Sequence, residues 1–324
     1  MRYTAKRGAG RNRLEDGTMF IRQMAYLLAL AREKHFARAA ESCHVTQSTL
    51  SAGLKSLERE LGMPLVIREP RFMGLTPEGE RVAEWASQIV ADYDSLKQDV
   101  GNYREGVKGT LRLGVIPAAM PTVALLTGPF CAKHPGVTVD IQSISSLAIQ
   151  SGLEKFELDA GITYLDNEPL TNVRKKPLYR ERYVFVTSIA NAKAHQPAVA
   201  WREAVDENLC LLHEAMQNRR VLNKLAHTLG VELNPTVTAN SFLAVCSHVR
   251  SGAWSSIIPH TFAYIFAGCE DLAIVDLIDP VHSQTIGLVT LDRDPQSPLA
   301  HALVKCANRL DLEAALGGLA PIIV

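Results

Sequence analysis

Residues 37–62, ARAAESCHVTQSTLSAGLKSLERELG, hold two helical patterns with only a few residues between them. No other stretch constrains the fold as strongly, because two helices joined so tightly must cross and share one small core. Phe36, Ala39, Ala40 and Cys43 recur at helical spacing in the first; small Ala39 and Ala40 allow close approach. Leu50, Leu54, Leu57 and Leu61 form the buried stripe of the second, which runs from about Gln47 to Leu61 with Thr46 as N-cap and Gly62 as its end. The opposite face carries Gln47, Ser48, Ser51 and Lys55. Two readings of it stand open. It is either the solvated side of an ordinary helical hairpin, or a helix whose first turns offer polar side chains to the major groove of DNA. Gln pairs with an adenine edge through both ends of its amide, and Ser reaches bases or phosphate.

The flanking segments extend this unit. FIRQMAYLLALAREKH, residues 20–35, reads as a helix with Met24, Leu27, Leu28 and Ala31 on one face. After the tight pair, MPLVIREPRFMGLTPEG turns strand-like with Pro and Gly breaks, and a hairpin there would set Arg68 and Arg71 near backbone phosphates. Arg38 is a further candidate for that contact. Thr76 then caps a long helix with Pro77 in its first position, reaching about Tyr103. Along it Val82, Ile89, Leu96 and Tyr103 recur every seven residues, and Ala86, Tyr93 and Val100 interleave with them. That pattern predicts a seam for pairing with a second copy; a helix packed on its own domain is the alternative.

Charge supports a polyanion partner for this end. Residues 1–75 carry 13 Lys and Arg against 7 Asp and Glu, on a chain whose net charge is zero. Five of those positives fall in residues 1–18, expected to be a disordered basic tail, and Met19 is an alternative start. No run of apolar residues is long enough to span a membrane, and no apolar stretch follows the basic start as in a secretory signal, so a cytoplasmic protein is expected. The six cysteines are scattered, with Cys210 and Cys246 in a strand and a helix, and read as buried structural thiols. No G-x-S-x-G, H-E-x-x-H, P-loop or G-x-G-x-x-G stands in the chain, and the ten histidines lack ligand spacing. No catalytic residue, metal or cofactor is expected.

From Gly109 the texture changes to alternating strands and helices, an α/β region of about 215 residues. GTLRLGVI, VTVDIQSI, LDAGITY, YVFVTS, NLCLLH, TVTAN, SSIIP and TIGLVTL read as strands, and a closing helix runs from about Pro298 to Leu316. The expected division is a tail over 1–18, a winged helix-turn-helix over 19–77, a linker helix over 78–108 and the α/β region over 109–324.

The run F-x-R-A-A-E-x-C-x-V-T-Q-S-x-L-S, followed by L-E-x-E-L-G-x-P-L, R-x-P and L-T-P-E-G, resembles the LysR-type transcriptional regulators. The likeness is dense to about residue 105 and thinner but colinear beyond. It implies that Thr46, Gln47, Ser48 and Ser51 face promoter DNA and that Arg68 is the arginine of the wing. It further implies that the long helix pairs two subunits, that four subunits assemble on a bent site, and that RNA polymerase is a partner. The α/β region would be a two-lobed, type 2 periplasmic-binding-protein-like effector domain: lobe I about 109–165 and 295–324, lobe II about 166–294. A small inducer would lie in the cleft, and helix-terminus chemistry suggests an anion. His35 and Val66 depart from the usual residues of the head without touching its polar face.

In the effector region Ala118 stands where a ligand-bonding hydroxyl often lies, leaving backbone N–H groups for that contact. Ser145 and Ser146 match a Ser-bearing turn and are either plain helix caps or part of an anion site at a helix N-terminus. Asn240 and Ser241 pose the same choice in the second lobe, and His213 is either a ligand contact or an interfacial histidine. Trp254 replaces the second Gly of V-x-x-G-x-G and either packs between elements or narrows the cleft. Peroxide sensors of this family use a cysteine pair in the second lobe; alignment sets Gln217 at the first, so redox sensing is not expected.

Overall fold

A computed structural model describes residues 13–69, 71–166, 170–262 and 269–317, with backbone alone at 13–19, 68–69, 71–72, 102–105 and 317. The chain divides into two compact units, Met1–Val100 and Gly101–Val324.

In the N-terminal unit, α1 (Arg13–Glu33), α2 (Phe36–Ser42) and α3 (Gln47–Leu61) pack around Leu27, Leu30, Ala39, Ala40, Leu50, Leu54 and Leu57. Residues 13–18, expected as tail, belong to α1. Thr46 caps α3 by accepting from the Thr49 amide at 3.2 Å, and Gly62 ends it at φ +72°, a conformation that costs a side-chain-bearing residue free energy. The hairpin β1 (Val66–Glu69) and β2 (Arg71–Leu75) forms the wing. Glu58 fixes its entry, one carboxylate oxygen accepting from the Leu65 and Val66 amides at 3.0 and 3.2 Å.

The helix α4 (Pro77–Glu105) starts where Thr76 accepts from the Gly79 amide at 2.9 Å while its own hydroxyl donates to the Pro64 carbonyl. A Cβ on Gly79 would stand 2.1 Å from the Leu65 carbonyl oxygen, so the Gly of L-T-P-E-G is required where α4 packs on the backbone leading into the wing. Four large apolar side chains along α4 are exposed: Trp85 at 59%, Ile89 at 38%, and Leu96 and Val100 at 61%.

In the C-terminal unit, β3 (Gly109–Val115) lies parallel to both β4 (Val137–Ser143) and β5 (Ala160–Tyr164). A 3-10 turn at Pro117–Thr122 leads into α5 (Val123–Lys133), and α6 (Ser146–Glu154) follows β4. Prolines 117 and 121 lack amide donors, which delays the α-helix to Val123. The 16-residue β6 (Val173–Ser188) joins two parts of the sheet. Its first ten residues pair with β12 (Ser283–Leu291), which also pairs with β5. Its last six pair with β10 (Ser256–Pro259) and β11 (Leu272–Ile278). Edge strand β7 (Ala198–Ala200) is parallel to β11. A separate parallel pair, β8 (Cys210–Leu212) and β9 (Val237–Ala239), carries α8 (Gln217–Leu229) and α9 (Phe242–Arg250), with short α7 at Trp201–Ala204.

The sequence reading missed β7, β11 and the first half of β6. In VRKKPLYRER charge and Pro177 mask the period-two pattern, and the register shifts where Pro177 and Tyr179 meet β12. The closing helix is two, α10 (Pro298–Ala307) and α11 (Leu312–Gly317), because Asp311 caps afresh by accepting from the Ala314 amide. Among the described residues no helix is long and apolar enough to cross a membrane, and no group of His, Cys, Asp or Glu is placed to hold a metal.

Candidate nucleic-acid interface and buried polar network

Because α3 turns 100° per residue, the leucines that fill the core force Gln47, Ser48 and Lys55 outward. All three are exposed, as is Thr46, and Ser51 is half-buried. Thr46 Oγ1 lies 2.8 Å from both Ser48 Oγ and Thr49 Oγ1, so the first turn is held by a small hydroxyl cluster as well as the cap. Arg38 is exposed and its guanidinium donates to the Glu33 carbonyl at 2.7 Å, which ties α2 to the end of α1. The backbone of Arg68 and Arg71 lies in the wing hairpin; their side chains lie outside those described.

Of the residues predicted for the long helix, Ala86 is fully buried and Val82 packs on the core of the N-terminal unit. Ile89, Leu96 and Val100 are exposed, and Tyr93 is half-buried beneath the Lys97 ammonium, 4.6 Å from its ring centre. The Tyr103 side chain is outside the described residues. Trp85, absent from the heptad reading, is among the most exposed apolar side chains of α4.

The C-terminal unit has a different kind of polar cluster. Ser146, the first residue of α6, is buried, its hydroxyl 2.6 Å from Thr163 Oγ1 and donating to Gln217 Oε1 at 2.5 Å. The next residues along β5 and α8 continue the connection. Asn218 Nδ2 donates to the hydroxyls of Tyr164 and Tyr183, each at 3.2 Å, and the Tyr164 hydroxyl donates to Glu181 Oε1 at 2.7 Å. Glu181 is 0% exposed, and burial pushes its carboxyl up to about 8 against a smaller opposing effect of the Tyr164 hydrogen bond. Tyr164 and Tyr183 are raised by burial first and by Glu181 second. Three buried atoms of this network have no hydrogen-bond partner: Glu181 Oε2, Asn218 Oδ1 and Gln217 Nε2. Buried polar atoms are seldom left so, which singles this cluster out as the candidate site of the C-terminal unit.

Only Ser146 of the six predicted effector residues joins it. Ser145 and Ser241 are exposed caps, accepting from the Ala148 and Leu243 amides at 3.2 Å, and Asn240 is exposed beside the latter. His213 is exposed and its Nδ1 accepts from the Ala215 amide, closing the turn before α8. Ala118 is buried, with its carbonyl accepting from Thr261 Oγ1 at 3.5 Å. Trp254 packs against the core and meets His248 edge-on at 6.4 Å. Cys210 and Cys246 are buried, and burial raises both thiols, Cys246 to about 11.

A signal for Glu181 did exist. Tyr179, Glu181 and Tyr183 alternate along β6 with exposed Arg180 and half-buried Arg182, so period two places one carboxyl between buried aromatic rings. Gln217 and Asn218 had no comparable mark.

Comparisons with known proteins match both units. The model of the LysR substrate binding domain matches residues 104–310, and that of the bacterial regulatory helix-turn-helix protein, lysR family, matches residues 21–80. A hydrogen peroxide-inducible genes activator of Haemophilus influenzae is 26% identical over 306 residues, 93% of this chain and 100% of the relative. The DNA-binding transcriptional dual regulator OxyR of Escherichia coli is 27% identical over 282 residues, 87% of this chain and 91% of the relative. Among solved structures, a full-length OxyR variant from Pseudomonas aeruginosa superposes with a TM-score of 0.74 at 23% identity, covering 91% of this chain and 96% of that one. Full-length CbnR in complex with its target DNA gives 0.63 at 20% identity, covering 89% and 99%.

Proposed function

Because the chain belongs to the LysR family of DNA-binding transcriptional regulators, we propose that α3 reads promoter DNA in the major groove and that the C-terminal unit sets when it does so. The observation that carries this is one face of α3: Gln47, Ser48 and Lys55 exposed on a capped helix whose other side is locked by Leu50, Leu54 and Leu57. Gln47 and Ser48 meet base edges with Ser51 behind them, while Lys55, Arg38 and the wing arginines Arg68 and Arg71 meet phosphates. The apolar strip Trp85, Ile89, Leu96 and Val100 pairs with the same strip of a second copy, and two such dimers bind one operator. A small effector enters between lobe I and lobe II at the buried network, and it shifts DNA binding only through its differential affinity for the two arrangements. The regulator works in the cytoplasm, contacts RNA polymerase and performs no catalysis of its own.

The peroxide response named for the relatives does not pass to this chain. The family resemblance sets Gln217 at the position of the first sensor cysteine, and burial raises the Cys210 and Cys246 thiols, which keeps them protonated and poorly nucleophilic.

The test is selection of genomic fragments by purified full-length protein at moderate salt. A dyad-symmetric motif that loses definition in Gln47→Ala supports the reading. Equal retention of all sequences, or a motif unchanged in that variant, overturns it.

A further inference from the structure

The unpartnered atoms of the buried network say what kind of molecule completes it. Glu181 Oε2 and Asn218 Oδ1 are acceptors when the acid is ionised, and they belong to one hydrogen-bonded chain through the Tyr164 and Tyr183 hydroxyls. Among the described residues no cationic side chain is hydrogen-bonded into that chain. Arg219, next to Asn218, spends its guanidinium on the carbonyls of Leu212 and Leu233 and on Asn223 Oδ1. The groups facing Glu181 are the hydroxyls of Tyr164 and Tyr183, with Tyr179 close enough to feel its charge. An anion would therefore meet a carboxyl and no counter-charge. A cation would meet a carboxyl, an amide carbonyl and several aromatic rings, which is how proteins hold ammonium groups.

Resting on the effector reading above, we propose that the effector of this chain carries a primary ammonium group, held by the Glu181 carboxylate and the Asn218 side-chain carbonyl. Gln217 Nε2, the third unpartnered atom, then donates to an acceptor elsewhere on the same molecule. Entry parts the Ser146–Gln217 contact, because the network is closed to solvent without a ligand. Burial keeps the Glu181 acid protonated at neutral pH, so binding exchanges its proton for the ligand: Glu–COOH and R–NH3+ give a Glu–COO−/R–NH3+ pair and one proton released to water. The surviving pair is buried and hydrogen-bonded, which is the condition under which such pairs are strong.

Three small probes separate the possibilities: ethylamine with the ammonium alone, propionate with the carboxylate alone, and alanine with both. Thermal melting and calorimetric titration of the full-length protein are run in two buffers of different ionisation heat, at pH 7 and pH 9. Ethylamine and alanine are expected to raise the melting temperature and to release close to one proton per site at pH 7 but little at pH 9, with no effect of propionate. Glu181→Gln keeps shape and hydrogen bonding and should melt cooperatively with no amine response; Asn218→Ala should weaken the amine at least tenfold. Stabilisation by propionate alone, amine binding that survives Glu181→Gln, or no response to any probe overturns the proposal; the last would mean that buried water completes the network. Retention of the operator is followed in parallel. Amine binding that leaves operator affinity unchanged keeps the ammonium site and sinks the effector reading. Operator binding that responds to propionate alone keeps the effector reading and sinks the ammonium site.

Discussion

The two units handle polarity in opposite ways. The N-terminal unit packs leucine on leucine inside and turns Gln47, Ser48 and Lys55 out to water, ready to exchange that water for a polyanion. The C-terminal unit buries Ser146, Thr163, Glu181, Gln217 and Asn218 in its interior and leaves several of their atoms unpaired. An exposed polar face costs the fold nothing while it waits for a partner. A buried one costs stability until the missing group arrives, so ligand and stability are coupled in the second unit and nearly independent in the first.

The largest effect should separate the units by pH. Glu181 is protonated in the folded chain up to about pH 8, whereas unfolded it ionises near 4.5. Its contribution is fully present below pH 4.5 and is lost as pH rises towards 8, a swing of up to about 5 kcal/mol. Denaturant melts at pH 5, 7 and 9 should show the C-terminal unit weakening, and Glu181→Gln should flatten that trend. Parallel slopes in wild type and variant would mean that Glu181 is solvated or ion-paired after all. The N-terminal unit serves as the internal control, since its working face holds no buried acid.

A core truncation tests the same division from the other side. Leu54 is 0% exposed, and Leu54→Ala should cost the N-terminal unit about 3 kcal/mol. Two resolved transitions, only the first of them shifted, would confirm that the units are separate in stability. A single transition carrying the whole loss would break the comparison.

Next come the residues that meet DNA. Gln47→Ala should reduce the ratio of specific to random binding by about 1–3 kcal/mol. Lys55→Ala should instead weaken both and make the salt dependence shallower by about one unit of slope. Filter retention across a salt series distinguishes them, and interchange of the two patterns would reassign the roles.

The contrast also explains what could be read from the sequence. In the N-terminal unit each signal is local: Thr46 and Gly62 bracket α3, Leu50, Leu54 and Leu57 orient it, and the polar face follows by subtraction. The C-terminal network joins residues up to 71 apart in sequence, Ser146 with Gln217, so no window of sequence contains it. Ser145 and Ser146 were legible as a pair, yet only their three-dimensional setting divides them into an exposed cap and a buried donor. Glu181 was hidden within a run of charges, where alternation sent Arg180 outward and Glu181 inward. On α4 the heptads picked out Ile89, Leu96 and Val100, which are exposed, together with Ala86, which is buried in its own unit, and they passed over the exposed Trp85 beside it.

The smallest predicted effect lies at Thr46, where structure and recognition in the N-terminal unit meet. Its hydroxyl accepts from the Thr49 amide at 3.2 Å and touches the hydroxyls of Ser48 and Thr49 at 2.8 Å. Thr46→Ala should cost about 1 kcal/mol of stability, the usual value of an N-cap. The first turn that it frays also carries Gln47 and Ser48, so specific DNA binding should fall further than random binding. Thr46→Ser keeps the accepting oxygen and should restore both quantities. Melting of the N-terminal unit and the specific-to-random ratio, measured on the two variants together, decide between aim and anchorage. Lost stability with an unchanged ratio would show that Thr46 holds the helix while the wing and the leucine core alone aim it.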